Sequence, residues 1–152
     1  MVEEKLRQLG INLPASSKPL GFYVPLHRVG NLIFLSGILP LREGGVLEKK
    51  GKVGRDITLD EAALEAKQVV INALSIVKEN FGSLDCIKKC VRITGYISAT
   101  EDFTEHPKVL NPASELLFQI FGEKGKHCRV AVGVCSLPFN AVVEMDFIFE
   151  VD

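Results

Sequence analysis

The feature that most constrains this chain is the alternation in its last quarter. Valines at every second position put Val130, Val132 and Val134 on one strand face, and Arg129, Ala131, Gly133 and Cys135 on the other. Further on, Val143, Met145, Phe147, Phe149 and Val151 alternate with Glu144, Asp146 and Glu150. Leu137, Pro138, Phe139 and Asn140 lie between the two runs and carry turn chemistry. The expectation is two strands forming a hairpin or near-hairpin, and a chain carrying them must build around a sheet.

Within that frame Arg129 and Glu144 can be read in two ways. A guanidinium over a floor of small residues can take a carboxylate through two nitrogens, and a carboxylate on the next strand can position water. Alternatively the two form a cross-strand ion pair, which contributes at most about 1 kcal/mol.

The rest of the chain supplies helices to cover the sheet. Thr58, Leu59, Asp60 and Glu61 make a capping box, and Ala62, Ala66, Val69, Val70, Ala73, Ile76 and Val77 form an apolar stripe at helical spacing until Asn80, Phe81 and Gly82 stop it. Residues 22–24 and 31–36 read as strands with a turn over 27–30, and residues 86–98 as another strand in which Gly95 marks a bulge or a close approach. Asn111 and Pro112 fit the cap and first position of a second helix, whose buried face is Leu116, Leu117, Ile120 and Phe121. Residues 2–9 predict a short helix ended by Gly10, followed by a linker, so residues 1–19 are expected as an appended extension and 20–152 as the domain.

The resulting order is β-β-α-β-α-β-β, an α+β sheet of about five or six strands with two helices on one face. Leu32 to Leu35 are apolar on both sides, and Val142 and Ile148 add apolar groups to the other face, so something must bury it. A second copy of the chain is the simplest cover.

Composition narrows the function. A net charge of -1 from 18 basic and 19 acidic residues gives no general attraction to phosphate backbones or anionic lipid. The lysines at 49, 50 and 52 fit a solvated loop over 40–56. Cys86, Cys90, Cys128 and Cys135 lack zinc-site spacing and read as buried thiols. His27, His106 and His127 have no metal-ligand partner at useful spacing; only His127 is near enough to Arg129 to tune a pocket. No run has the length of a signal peptide or membrane span, which with free cysteines predicts the cytoplasm and no membrane partner.

Arg129 with Leu137 and Pro138 following it, Glu144 beyond, and Gly21, Tyr23, Ser36, Gly37 and Pro40 upstream resemble the Rid family, the YjgF-type imine deaminases, in a longer-chain branch. The resemblance runs from about Leu20 to Val151 in the family's order. It implies a chorismate-mutase-like fold, a homotrimer with its ligand site between subunits, and no metal or organic cofactor. It assigns Arg129 as the carboxylate clamp, Glu144 as the catalytic water-positioning group, and Tyr23, Ser36, Gly37 and Asn111 as substrate-binding residues. The implied reaction is hydrolysis of 2-iminoacids to 2-ketoacids and ammonia. The chain departs from shorter members in having Ile38 in place of glutamine and Ala131 in place of cysteine, and in a longer segment over 104–110. Alternatives are a non-catalytic protein that binds a small carboxylate metabolite and, less favoured by the charge balance, an endoribonuclease or translation inhibitor. Chorismate mutase shares the implied fold, but fold alone does not assign chemistry.

Overall fold

The long central helix forms where its spacing predicts. The Thr58 hydroxyl accepts from the Glu61 N–H and the Glu61 carboxylate from the Thr58 N–H, both at 3.1 Å, opening helix α2 (Leu59–Phe81). Gly82 ends it at φ 79, where a side chain would be strained. Ala62, Ala66, Val69, Val70, Ala73 and Val77 are all fully enclosed. The three alanines let the helix axis lie close to the sheet, and a larger residue at any of them would cost about 1–3 kcal/mol.

This computed structural model describes residues 1–16, 18 and 21–152. The expected boundary between residues 19 and 20, and the Leu20 end of the family resemblance, fall outside the described residues. The remaining elements are α1 (Val2–Gln8), β1 (Leu26–Val29), β2 (Leu32–Leu35), β3 (Ile87–Ser98), α3 (His106–Phe121), β4 (Cys128–Val134) and β5 (Val143–Val151). They form a mixed five-stranded sheet in the order β1-β2-β5-β3-β4, with α2 and α3 packed side by side on one face.

That order corrects the expected hairpin. Among the described residues β4 pairs only with β3, in parallel, and β5 lies between β2 and β3, antiparallel to both. A parallel pair needs a crossover, and α3 supplies it. Burial explains the placement: Met145, Phe147 and Phe149 are buried and belong at the sheet centre, whereas Arg129, Ala131 and Gly133 are too small or too polar for anything but an edge.

Four smaller readings also change. The first strand is β1 rather than residues 22–24, because Phe22, Tyr23 and Val24 are exposed and join no ladder of the sheet; the turn is made at Gly30, φ 61. Helix α3 starts at His106, with Pro107 in the first turn where a missing N–H is harmless, so Asn111 and Pro112 lie inside it rather than at its cap. Val109 and Leu110, fully buried, extend the apolar stripe upstream of Asn111 and pull that segment into the helix. Gly95 marks a close approach, not a bulge: a Cβ there would lie 2.3 Å from Leu110 Cδ1, and the register shifts fall nearer the strand's start. Of the four thiols only Cys90 is fully buried, which pushes it up to about 12; Cys86 is half-buried, and Cys128 and Cys135 are exposed.

The amino-terminal helix is tied to the fold. Leu6 joins the core, the Val2 N–H donates to Asp85 Oδ1 at 2.9 Å, and the Leu84 N–H donates to Glu3 Oε1 at 3.0 Å. The sheet face away from α2 and α3 carries Phe34 and Val132, each about 40% exposed.

Candidate functional site

The register separates Arg129 from Glu144. Arg129 stands opposite Ile93 and therefore on the helix-covered face, while Glu144 stands opposite Tyr96 on the uncovered face. With β3 between their strands they cannot form the cross-strand pair, and that reading is withdrawn. The small residues beside Arg129 also serve a different purpose from the one expected. A Cβ at Gly133 would meet His106 Nε2 at 2.5 Å, and one at Gly95 would meet Leu110, so these glycines admit α3 rather than a ligand.

Close docking of α3 is what positions the guanidinium. Arg129 Nη1 donates to Asn111 Oδ1 at 3.0 Å and to Ser114 Oγ at 3.1 Å, two side chains one helical turn apart. Ser114 Oγ lies 2.9 Å from His127 Nε2, and His127 Nδ1 lies 2.6 Å from the Gly125 carbonyl. Because that carbonyl only accepts, Nδ1 carries the proton, Nε2 accepts from the Ser114 hydroxyl, and the hydroxyl oxygen is left to accept from Arg129. Burial, with Arg129 nearby, holds the imidazole below its ordinary value and keeps it neutral. Gly125 is itself required: a Cβ would sit 2.2 Å from the Leu117 carbonyl oxygen. The other edge of the guanidinium and the Asn111 amide make no hydrogen bond among the described residues, and both face an open cleft bordered by Phe118 and Lys126.

Glu144 is placed by the end of β2. The chain after Leu35 continues along β5 through the Ile38 and Met145 amide exchange, at 2.8 and 3.1 Å, which brings Gly37 against Glu144. A Cβ at Gly37 would lie 2.4 Å from Glu144 Oε1, so the absence of a side chain there leaves room for the carboxylate. Ser36 spends its hydroxyl on the Val24 carbonyl at 2.6 Å. Glu144 has no hydrogen-bond partner among the described residues, and burial followed by the charge of Asp146 raises its carboxyl above the ordinary range. It borders a cavity of about 240 Å³ together with Tyr23, Ser36, Gly37 and Phe139.

The profile described as YjgF/chorismate mutase-like, putative endoribonuclease, matches residues 3–151. The chain belongs to the Rid/YjgF family. Protein TCP17 of Trypanosoma cruzi is 36% identical to this Rid/YjgF chain over 153 residues, covering 99% of it and 94% of TCP17. A crystal structure from Shewanella oneidensis, described as a putative endoribonuclease, is 32% identical with a TM-score of 0.95 and covers 99% of both chains. A more distant relative, the 2-iminobutanoate/2-iminopropanoate deaminase of Dermatophagoides farinae, is 24% identical over 93% of this chain and 95% of its own.

In this Rid/YjgF chain the six residues assigned by resemblance fall into two groups. Arg129 and Asn111 meet on the helix-covered side; Glu144, Gly37, Ser36 and Tyr23 gather round the cavity on the other. Sequence reasoning singled out His127 as near enough to Arg129 to tune a pocket but missed Ser114, because the link between them requires α3 to cross directly over β4. It also missed Phe139, an exposed aromatic at φ 58 that borders the cavity. A bulky residue in that region is uncommon and strained. Among the described residues no group of three or more His, Cys, Asp or Glu side chains is placed to hold a metal ion, and no helix is long and apolar enough to cross a membrane.

Proposed function

We propose that this chain hydrolyses 2-iminoacids to 2-ketoacids and ammonia, at a site that a second copy completes within a trimer. The observation that carries the reading is the division of the site. A guanidinium with one edge free and an unbonded, partly desolvated carboxylate lie on opposite sides of one sheet, so neither can serve a small ligand without a partner surface. The uncovered face bearing Phe34 and Val132 supports a second copy as that partner.

In this reading the free edge of Arg129 takes the substrate carboxylate bidentately, and the Asn111 amide donates beside it. Glu144 removes a proton from water as the oxygen adds to the C=N carbon and passes it to the nitrogen, giving a tetrahedral aminoalcohol. The carboxylate then takes the hydroxyl proton and delivers it to the same nitrogen as the C–N bond breaks, so ammonia departs and a carbonyl remains. A carboxyl held above the ordinary range suits both halves of that exchange near neutral pH.

The test is to generate imines in situ from several amino acids with an amino-acid oxidase and follow ketoacid release against the uncatalysed rate. Acceleration that saturates supports the deaminase. Saturable ketoacid binding with no acceleration for any imine would leave a carboxylate-metabolite binder instead.

A further inference from the structure

We infer that the cavity beside Glu144 is a side-chain pocket that selects 2-iminoacids bearing a large apolar substituent, branched or aromatic, and that Pro14, Ala15, Ser16 and Lys18 form its outer wall. This rests on the deaminase reading for the carboxylate end of the substrate.

The first observation is how the polar groups of the wall are occupied. Asn72 donates to the carbonyls of Leu39 and Leu41, at 3.1 and 2.9 Å, and its own carbonyl accepts from Gln68 at 2.9 Å. Arg42 donates to the Pro40 carbonyl at 2.9 Å and stands 2.6 Å from the buried Glu65 carboxylate. Ser36 is committed to Val24, and Ser16 to Glu79. With these groups spent, the cavity surface between them is chiefly hydrocarbon, from Ile38, Leu39, Ile76 and Pro138, and the exposed Lys18 adds a cation only to the outer wall. A polar substituent there would lose water without gaining a partner. The one unbonded carboxylate of the wall, Glu144, faces the end where the reacting carbon would sit.

The second observation is size. The cavity is about 240 Å³, and about 150 Å³ of apolar space is enough to hold benzene. A methyl substituent would leave most of it unfilled.

The third is the wall itself. The Ser16 N–H donates to Glu79 Oε1 at 2.8 Å and its hydroxyl donates to the other oxygen, which fastens residues 14–16 to α2 above Ile76. Those two bonds hold the Glu79 carboxyl below the ordinary range. Without the wall the cavity would be an open groove, and apolar burial of a substituent would fall.

The probes are pyruvate and the 2-ketoacids with isobutyl and benzyl substituents, with affinity measured by calorimetry and imine turnover assayed on the same preparations. Each buried methylene should tighten binding about fourfold, so the isobutyl and benzyl acids should bind at least about tenfold more tightly than pyruvate. Glu79→Ala, an exposed change that unfastens the wall, should shrink that ratio several-fold and leave pyruvate affinity within about twofold. Equal or reversed affinities overturn the pocket even if imines are hydrolysed. A clear preference without turnover of any imine keeps the pocket and overturns the deaminase reading. Loss of all ketoacid binding overturns both, and an unchanged ratio in Glu79→Ala removes residues 14–16 from the wall.

Discussion

The surroundings of Arg129 and of Glu144 solve opposite problems with the same sheet. Around Arg129 the charge is wired in: Asn111, Ser114, His127 and the Gly125 carbonyl form a chain of hydrogen bonds that fixes one nitrogen and leaves the other edge of the fork open. Around Glu144 the charge is left without a partner in a partly buried, largely apolar setting, and its carboxyl is raised in consequence. The first arrangement suits a group that must stay ionised and hold its direction. The second suits a group that must exchange a proton. Preorganisation by bonding and activation by withholding bonds are therefore separated by one layer of backbone.

Substituting Glu144 should give the largest effect. Glu144→Gln should lower turnover about a thousandfold, in the range for losing a positioned acid–base group, while ketoacid affinity changes little. Stability should move the other way. A carboxyl raised above its ordinary 4.5 favours the folded state when protonated, and that advantage is lost as pH rises through the folded value. At pH 7 the glutamine variant should therefore melt higher than the parent, and the difference should vanish below about pH 4.5. A lower melting temperature at pH 7 would contradict the account of Glu144 as a partnerless charge.

Arg129→Lys keeps the charge and loses the planar fork. Ketoacid affinity and turnover should each fall about a hundredfold with a stability change within about 1 kcal/mol. Unchanged affinity would remove Arg129 from the ligand site.

Ser114→Ala breaks the chain behind the guanidinium without touching its free edge. About 1 kcal/mol of lost hydrogen bonding should appear as a roughly fivefold loss of ketoacid affinity. The parent should mimic part of that loss in acid. His127 is held below 6.5, so the neutral ring and its bond to Ser114 are fully present above 6.5 and are lost as pH falls through the lowered value. In Ser114→Ala that component of the pH dependence should be missing; its persistence would mean the imidazole does not act through Ser114.

The smallest expected effect is electrostatic. Asp146 adds to the rise of the Glu144 carboxyl, second to burial. Asp146→Asn should move the acid limb of the turnover profile to lower pH and leave its height nearly the same. A limb that does not move would show that burial alone raises Glu144.

Much of the fold was legible residue by residue. The capping box at Thr58, the stop at Gly82 and the two-residue alternation of β4 and β5 are local properties, carried by side chains a few positions apart. The start of α3 was not legible, because Asn111 followed by Pro112 has the form of a cap, and only burial of Val109 and Leu110 against the sheet extends the helix past it. Strand neighbours were not legible for a related reason. Alternation assigns faces within a strand, but it says nothing about which strand lies alongside.

By itself, then, the sequence determined the identity and order of the elements, the alternation that puts Arg129 and Val130 on opposite faces, and the linear pattern of Arg129, Pro138 and Glu144 that marks the family. Tertiary structure alone decided that β5 enters between β2 and β3, that Arg129 and Glu144 face away from each other, and that Ser114, His127 and Phe139 stand beside them. The physical reason is range. Caps, turns and periodicity act over a few residues, whereas strand insertion depends on burying Met145, Phe147 and Phe149 under α2 and α3, contacts between residues far apart in the chain.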